Sequence, residues 1–214
     1  MNKVEQFFDK YAYDFDAIYG TDQSFINNIL NPILRKSMRT RFENTLLYSQ
    51  PMRGKTALDI GCGPGHYSIA LVKNGAKNIV GIDFSEEMIK IAKEKASSSR
   101  ISDKCNFIVE DIFNYTSSEK FDFSIVMGVM DYISNPEKMI EKVISLTKEK
   151  VFFSFPVSEG LLAFQRRIRY LKRCPLYMYN KKQLTTLFNK FLPSDYKIEK
   201  ISRDYFVSLS IRIK

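Results

Sequence analysis

The sequence predicts a doubly wound α/β domain, built on a mostly parallel seven-stranded sheet with an antiparallel C-terminal hairpin and an N-terminal helical lid. Three observations carry this reading. From Thr56 onward, short apolar runs alternate with helical patterns, as in successive βαβ units. The last two apolar runs lie too close together for a parallel crossover, which favours a hairpin. The length of 214 residues, 44% hydrophobic and 27% charged, fits one large domain with a full core.

The elements follow in order. Residues 1–54 read as a mostly helical lid and substrate segment rich in aromatics, with too few strands for a separate domain. Residues 55–155 read as the core. Its strands are expected at 56–61, 78–83, 105–111, 121–128 and 151–155, and its helices at 66–74, 86–97 and 136–148. Ser85 suits an N-cap, and Pro136 suits a first helical turn. Residues 156–179 read as a basic insertion holding an amphipathic stretch, 161–173. Residues 180–214 supply a helix at 180–191 and strands at 197–202 and 206–213.

Composition narrows the function classes. No apolar run reaches the roughly 18 residues of a membrane span, and the first residues lack the apolar run of a signal peptide. Cys62, Cys105 and Cys174 are too irregularly spaced for a disulfide framework or a zinc site, so no metal is expected and a reducing cytoplasm is. The net charge of +9 is localised: residues 1–150 are neutral in sum, whereas residues 151–214 hold 13 Lys/Arg against 4 Asp/Glu. Such a segment suits an anionic acceptor, RNA or an anionic membrane surface, or is simply a solvated face.

The strongest motif is Asp59-Ile60-Gly61-Cys62-Gly63-Pro64-Gly65-His66, an apolar strand running through a glycine turn into a helix. Glycines admit close approach to the backbone, and the helix start offers N–H groups and a positive dipole end to a carboxylate or phosphate. An acidic residue precedes the glycines by two positions. A second, Asp83, ends the next strand 18 residues after Gly65, placed to accept ribose hydroxyls. A third, Asp111, closes the third strand.

Together these residues resemble the class I S-adenosylmethionine-dependent methyltransferases, a Rossmann-like family, over about residues 55–155. The resemblance implies S-adenosyl-L-methionine as cofactor. It implies that Asp59, Gly61, Cys62, Gly63 and Gly65 surround the methionine end, that Asp83 holds the ribose, and that Asp111 and Ile112 flank the adenine. Phe84 and Met88 would pack on the adenosine, and Gly128 would lie beneath the sulfonium. The stretch Tyr11–Tyr19 is similar to the aromatic lid of small-molecule members, with Tyr11 over the cofactor. Lid, basic helix (Arg35, Lys36, Arg39, Arg41) and glycine turn together resemble magnesium-protoporphyrin O-methyltransferases more weakly. Where that family shows His-Tyr after the fourth strand, this chain has Asp131-Tyr132.

The sulfonium already activates the methyl group, so alignment of the acceptor is the main requirement. Asp131, Tyr132 and Tyr19 are candidates for acceptor binding or proton removal. His66, the single histidine, reads as a helix-start residue whose backbone N–H serves the turn. No Asn/Asp-Pro-Pro-aromatic motif follows the fourth strand, and no Pro-Cys dipeptide is present, so DNA is not expected as substrate.

In the insertion, Leu161, Phe164, Ile168 and Leu171 recur at helical spacing, with Arg166, Arg167, Arg169, Lys172 and Arg173 on other faces. An anionic small molecule, or peripheral contact with an anionic membrane, suits this pattern. Residues 166 and 167 point about 100° apart and cannot both face one pocket. The leading expectation is methylation of a small-molecule acceptor, on oxygen ahead of nitrogen. The alternatives are an RNA methyltransferase or a non-catalytic cofactor-binding protein of the same fold.

Overall fold

The computed structural model describes residues 32–170, 174–191 and 195–211, apart from the side chains of residues 32–35 and 169. Its strands are β1 (Thr56–Ile60), β2 (Asn78–Asp83), β3 (Cys105–Val109), β4 (Phe121–Val126), β5 (Thr147–Pro156), β6 (Tyr196–Ile201) and β7 (Asp204–Ser210). Its helices are α1 (Pro32–Tyr48), α2 (His66–Lys73), α3 (Glu86–Ser98), α4 (Pro136–Ser145), α5 (Leu161–Tyr170) and α6 (Lys181–Asn189). The expected aromatic lid, with Tyr11 and Tyr19, lies outside the described residues.

One sheet holds all seven strands in the order β3-β2-β1-β4-β5-β7-β6. β1 to β5 are parallel, and β7 runs antiparallel between β5 and β6. The chain winds outward from β1 to β3, then returns to β4 and winds the other way. The order therefore reverses between β1 and β4, and a crevice for ligands opens at the carboxyl ends of those two strands.

Helices cover both faces, so the central strands are apolar almost throughout rather than alternating. Phe152 stacks on Phe206 at 6.0 Å on one face, in a core with Phe123 and Ile125, against which Phe42 and Leu46 of α1 pack. Phe153 and Phe155 point the other way and meet Phe188 of α6, each at 5.8 Å. Each such fully buried side chain contributes about 1.5–3 kcal/mol relative to exposure. Caps fix the helix starts. Ser85 Oγ accepts the Met88 N–H at 3.2 Å, and Asn135 Oδ1 accepts that of Lys138 at 3.0 Å. Asn180 and Gln183 form a reciprocal capping box.

Several element ends differ from expectation. α4 stops at Ser145, not 148, because the Leu146 carbonyl accepts the Phe121 N–H and Thr147 pairs with Phe121. β5 therefore begins four residues earlier than its apolar run, on Thr147, whose hydroxyl lies 2.6 Å from that of Ser124. β3 ends at Val109: the Asp111 carboxylate accepts the Phe113 N–H at 2.9 Å and turns the chain away. β4 ends at Val126 rather than at Gly128.

Candidate functional site

β1 delivers the chain into the glycine turn at the switch point. Gly61, Gly63 and Gly65 have φ of +65°, +51° and +76°, a region that side chains disfavour. Their surroundings differ. A Cβ on Gly61 would stand 2.3 Å from Val129 Cγ2, and one on Gly65 would stand 2.9 Å from Phe107 Cζ. Over Gly63 the nearest described atom is Met88 Sδ at 3.9 Å, and no described atom lies within 4 Å of a Cβ on Gly128. Gly61 and Gly65 are thus glycines because protein packs on them. Gly63 and Gly128, beyond the ends of β1 and β4, border space that no described residue fills, a cradle between the two strands.

The acidic residues take distinct places around it. Asp83 Oδ2 accepts the Gly63 N–H at 2.9 Å and Oδ1 accepts that of Ser85 at 3.0 Å, so one buried carboxylate joins the turn to the start of α3. Asp59 accepts from the Ser68 hydroxyl at 2.7 Å and its N–H at 3.2 Å, and so locks α2 onto β1. Burial pushes the Asp59 carboxyl up to about 7, against the pull of both Ser68 bonds and with a further push from Asp83. Asp59 thus faces the helix start, and of the two it is Asp83 that reaches the turn's backbone. Cys62 turns its side chain into a core with Ile89 and Phe107, and burial pushes its thiol well up, so the residue offers backbone to the turn. Ile112 is buried, Asp111 is exposed and half-buried His66 places Nε2 3.3 Å from Lys95 Nζ.

Beyond β4 lies a buried polar chain. The Gly128 N–H donates to Ser154 Oγ at 2.7 Å, which also accepts from Arg41 Nη1 at 3.0 Å. Arg41 lies 3.8 Å from Asp204 Oδ2, and Ser37 Oγ donates to the same oxygen at 2.7 Å. Arg166 then forks between Asp204 Oδ1, at 2.9 Å, and Asp131 Oδ2. Burial raises the Asp131 carboxyl despite Arg166 beside it. Burial opposes ionisation of Asp204 too, but two guanidiniums and Ser37 hold it below its ordinary value. Asp131, expected to remove a proton or bind an acceptor, instead faces inward as half of an ion pair. Tyr132 is half-buried with its ring 6.4 Å from that of Tyr170, and burial, then Asp131, push its phenol well up.

Arg166, expected on a pocket wall, an anionic membrane surface or a solvated face, is the residue whose role the sequence concealed. The available signal was its spacing from Ala163 and Tyr170, which share its helix face. Arg41 is likewise buried, whereas Arg39 is exposed and pairs with Glu43 at 2.7 Å. A groove of about 690 Å³ between the start of α4, residues 176–180 and α6 includes no glycine-turn residue. The turn, at the switch point of the sheet and beside the Asp83 carboxylate, is the better candidate site.

A family model described as a methyltransferase domain matches residues 52–190. A ubiquinone biosynthesis O-methyltransferase of Coxiella burnetii is 32% identical over 130 residues, 59% of this chain and 51% of that protein, so the chain spans about half the length of the curated relatives it matches. Among solved structures, the magnesium protoporphyrin IX methyltransferase of Synechocystis PCC 6803 with bound SAH superposes with a TM-score of 0.76 at 21% identity, covering 97% of both chains. The [4+2]-cyclase SpnF superposes at 0.68 with 18% identity, over 92% of this chain and 73% of that one. The sheet alone therefore does not fix a reaction.

Proposed function

Because the chain belongs to the methyltransferase domain family, we propose that it binds S-adenosylmethionine over the glycine turn and methylates a small-molecule acceptor, on oxygen. The observation that carries this reading is the cradle. Gly63 and Gly128 border space that no described residue fills at the carboxyl ends of adjacent strands, and Asp83 is bonded to the backbone of one wall. A ligand with a carboxylate at one end and a ribose in its middle fits that arrangement.

The cofactor supplies a methyl group already activated on sulfur; the remaining work falls to the protein. The start of α2 would face the carboxylate end, and Asp83, which accepts the Gly63 N–H and so anchors the turn, would accept the ribose hydroxyls. Asp111 and Ile112 would flank the adenine. Gly128, fixed from behind by Ser154, presents backbone without a side chain where the methyl must meet its acceptor. Tyr132, with its raised phenol, stays protonated at neutral pH and is not poised to remove a proton.

Asp131 is held by Arg166. With both groups occupied in this way, an acceptor that arrives ionised, such as a carboxylate or an acidic phenol, suits the site best. The test is transfer of labelled methyl from S-adenosylmethionine to panels of phenols, carboxylic acids, amines and RNA. Label on phenols or acids supports the proposal; label on RNA alone overturns it.

A further inference from the structure

Helix α5 is inside out. Ala163, Arg166 and Tyr170, each about a turn apart, face the domain: Ala163 is buried and Arg166 reaches Asp131 and Asp204. The opposite face carries Leu161, Phe164 and Ile168, which are 72%, 61% and 53% exposed. Positions i, i+3 and i+7 fall on one stripe. Single exposed apolar residues need no explanation, but three large ones aligned on one helix mark a contact surface.

The ion pairs fix this rotation. Turning the stripe inward would withdraw Arg166 and leave two carboxylates buried without it. Beside the stripe Arg167 is exposed, as is Glu159 before it; in sequence Lys172 and Arg173 follow, and residues 151–214 carry the whole excess of positive charge. Among the described residues no helix is long and apolar enough to cross a membrane. An RNA would meet Arg167 but leave the stripe wet, and an apolar protein groove would leave the surrounding charge unmatched. An anionic bilayer surface matches both.

We propose that α5 docks the protein on anionic membrane surfaces. Leu161, Phe164 and Ile168 enter the boundary between headgroups and acyl chains, and the neighbouring basic residues meet lipid phosphates. α5 follows β5 at the carboxyl edge of the sheet, the edge that holds Gly63 and Gly128, so docking brings the crevice close to the bilayer. The proposal stands independently of methyl transfer.

The chain has no tryptophan, so Phe164→Trp introduces a sole indole reporter. Its fluorescence is read alone, with phosphatidylcholine vesicles, and with vesicles containing phosphatidylglycerol at low and high salt. The expected result is a water-exposed, iodide-quenched indole in the free protein. It shifts to the blue and loses quenching with the anionic vesicles, much less with neutral ones, and less at high salt. Adding Leu161→Ser and Ile168→Ser should weaken vesicle binding by roughly tenfold or more while the circular dichroism melting curve is preserved. Should that variant fail to fold, the Phe164→Trp protein alone decides. A shielded indole before vesicles are added overturns the proposal, since the face is then covered by the chain itself or a second copy. So does an indole that ignores anionic vesicles, or vesicle binding that survives loss of the stripe.

Discussion

The two kinds of glycine in the turn separate at the level of single atoms. An alanine at Gly61 puts a methyl 2.3 Å from Val129 Cγ2 at a φ of +65°, so it must distort β1's exit. Gly61→Ala should cost about 1–3 kcal/mol of stability from strain and overpacking. Gly63→Ala meets only Met88 Sδ at 3.9 Å, so the fold should survive with about 1–2 kcal/mol of backbone strain while S-adenosylhomocysteine affinity is lost. Thermal melts and calorimetry on the two variants check this split. Asp59 gives a second residue-scale test. Its carboxyl sits near 7 in the fold against about 3.9 in the unfolded chain. Between those values the folded state holds a proton that the unfolded state has released. The contribution is therefore fully present below about pH 4 and lost as pH rises through about 7. Asp59→Asn, which cannot ionise, should match wild type at about pH 4 and exceed it at pH 8 by an amount on the order of 2–4 kcal/mol, read by urea unfolding. The turn itself was legible because glycine spacing encodes local backbone directly. That Asp59 serves Ser68 while Asp83 reaches Gly63 was not, because both depend on how neighbouring elements dock.

At the scale of elements, α5 shows where periodicity stops informing. Leu161, Phe164, Ile168 and Leu171 repeat at helical spacing, and repetition alone says that a stripe exists, not which way it faces. The direction is set by Asp131 and Asp204, carboxylates 35 and 38 residues away from Arg166 in sequence. Arg166→Ala should cost about 3–5 kcal/mol in urea unfolding, because it strips the guanidinium from two buried carboxylates. Combining Arg166→Met with Asp131→Leu should recover more than half of that loss, since Asp204 keeps Arg41 and Ser37. If Arg166→Ala melts like wild type, the inward rotation of α5 is wrong. Strand and helix identities were all legible, and the shifted ends of α4 and β5 trace to one tertiary bond, Phe121 N–H to the Leu146 carbonyl.

For the whole molecule, the reversal of strand order between β1 and β4 decides where function sits. It gathers Gly63, Asp83 and Gly128, which are spread over 66 positions of sequence, at one crevice. That gathering follows from topology rules and was readable from alternating elements and close terminal strands. The crevice's acceptor side was not, because it depends on which way Asp131, Tyr132 and α5 turn. Titration calorimetry of the folded chain with S-adenosylhomocysteine and S-adenosylmethionine tests the central claim most directly. The predicted result is one site per chain with a micromolar dissociation constant. Asp83→Asn, which loses a charge-assisted contact worth about 1.5–3 kcal/mol, should weaken it roughly 10- to 150-fold. No binding of either compound to folded wild-type protein, or unchanged affinity in Asp83→Asn, would contradict the account.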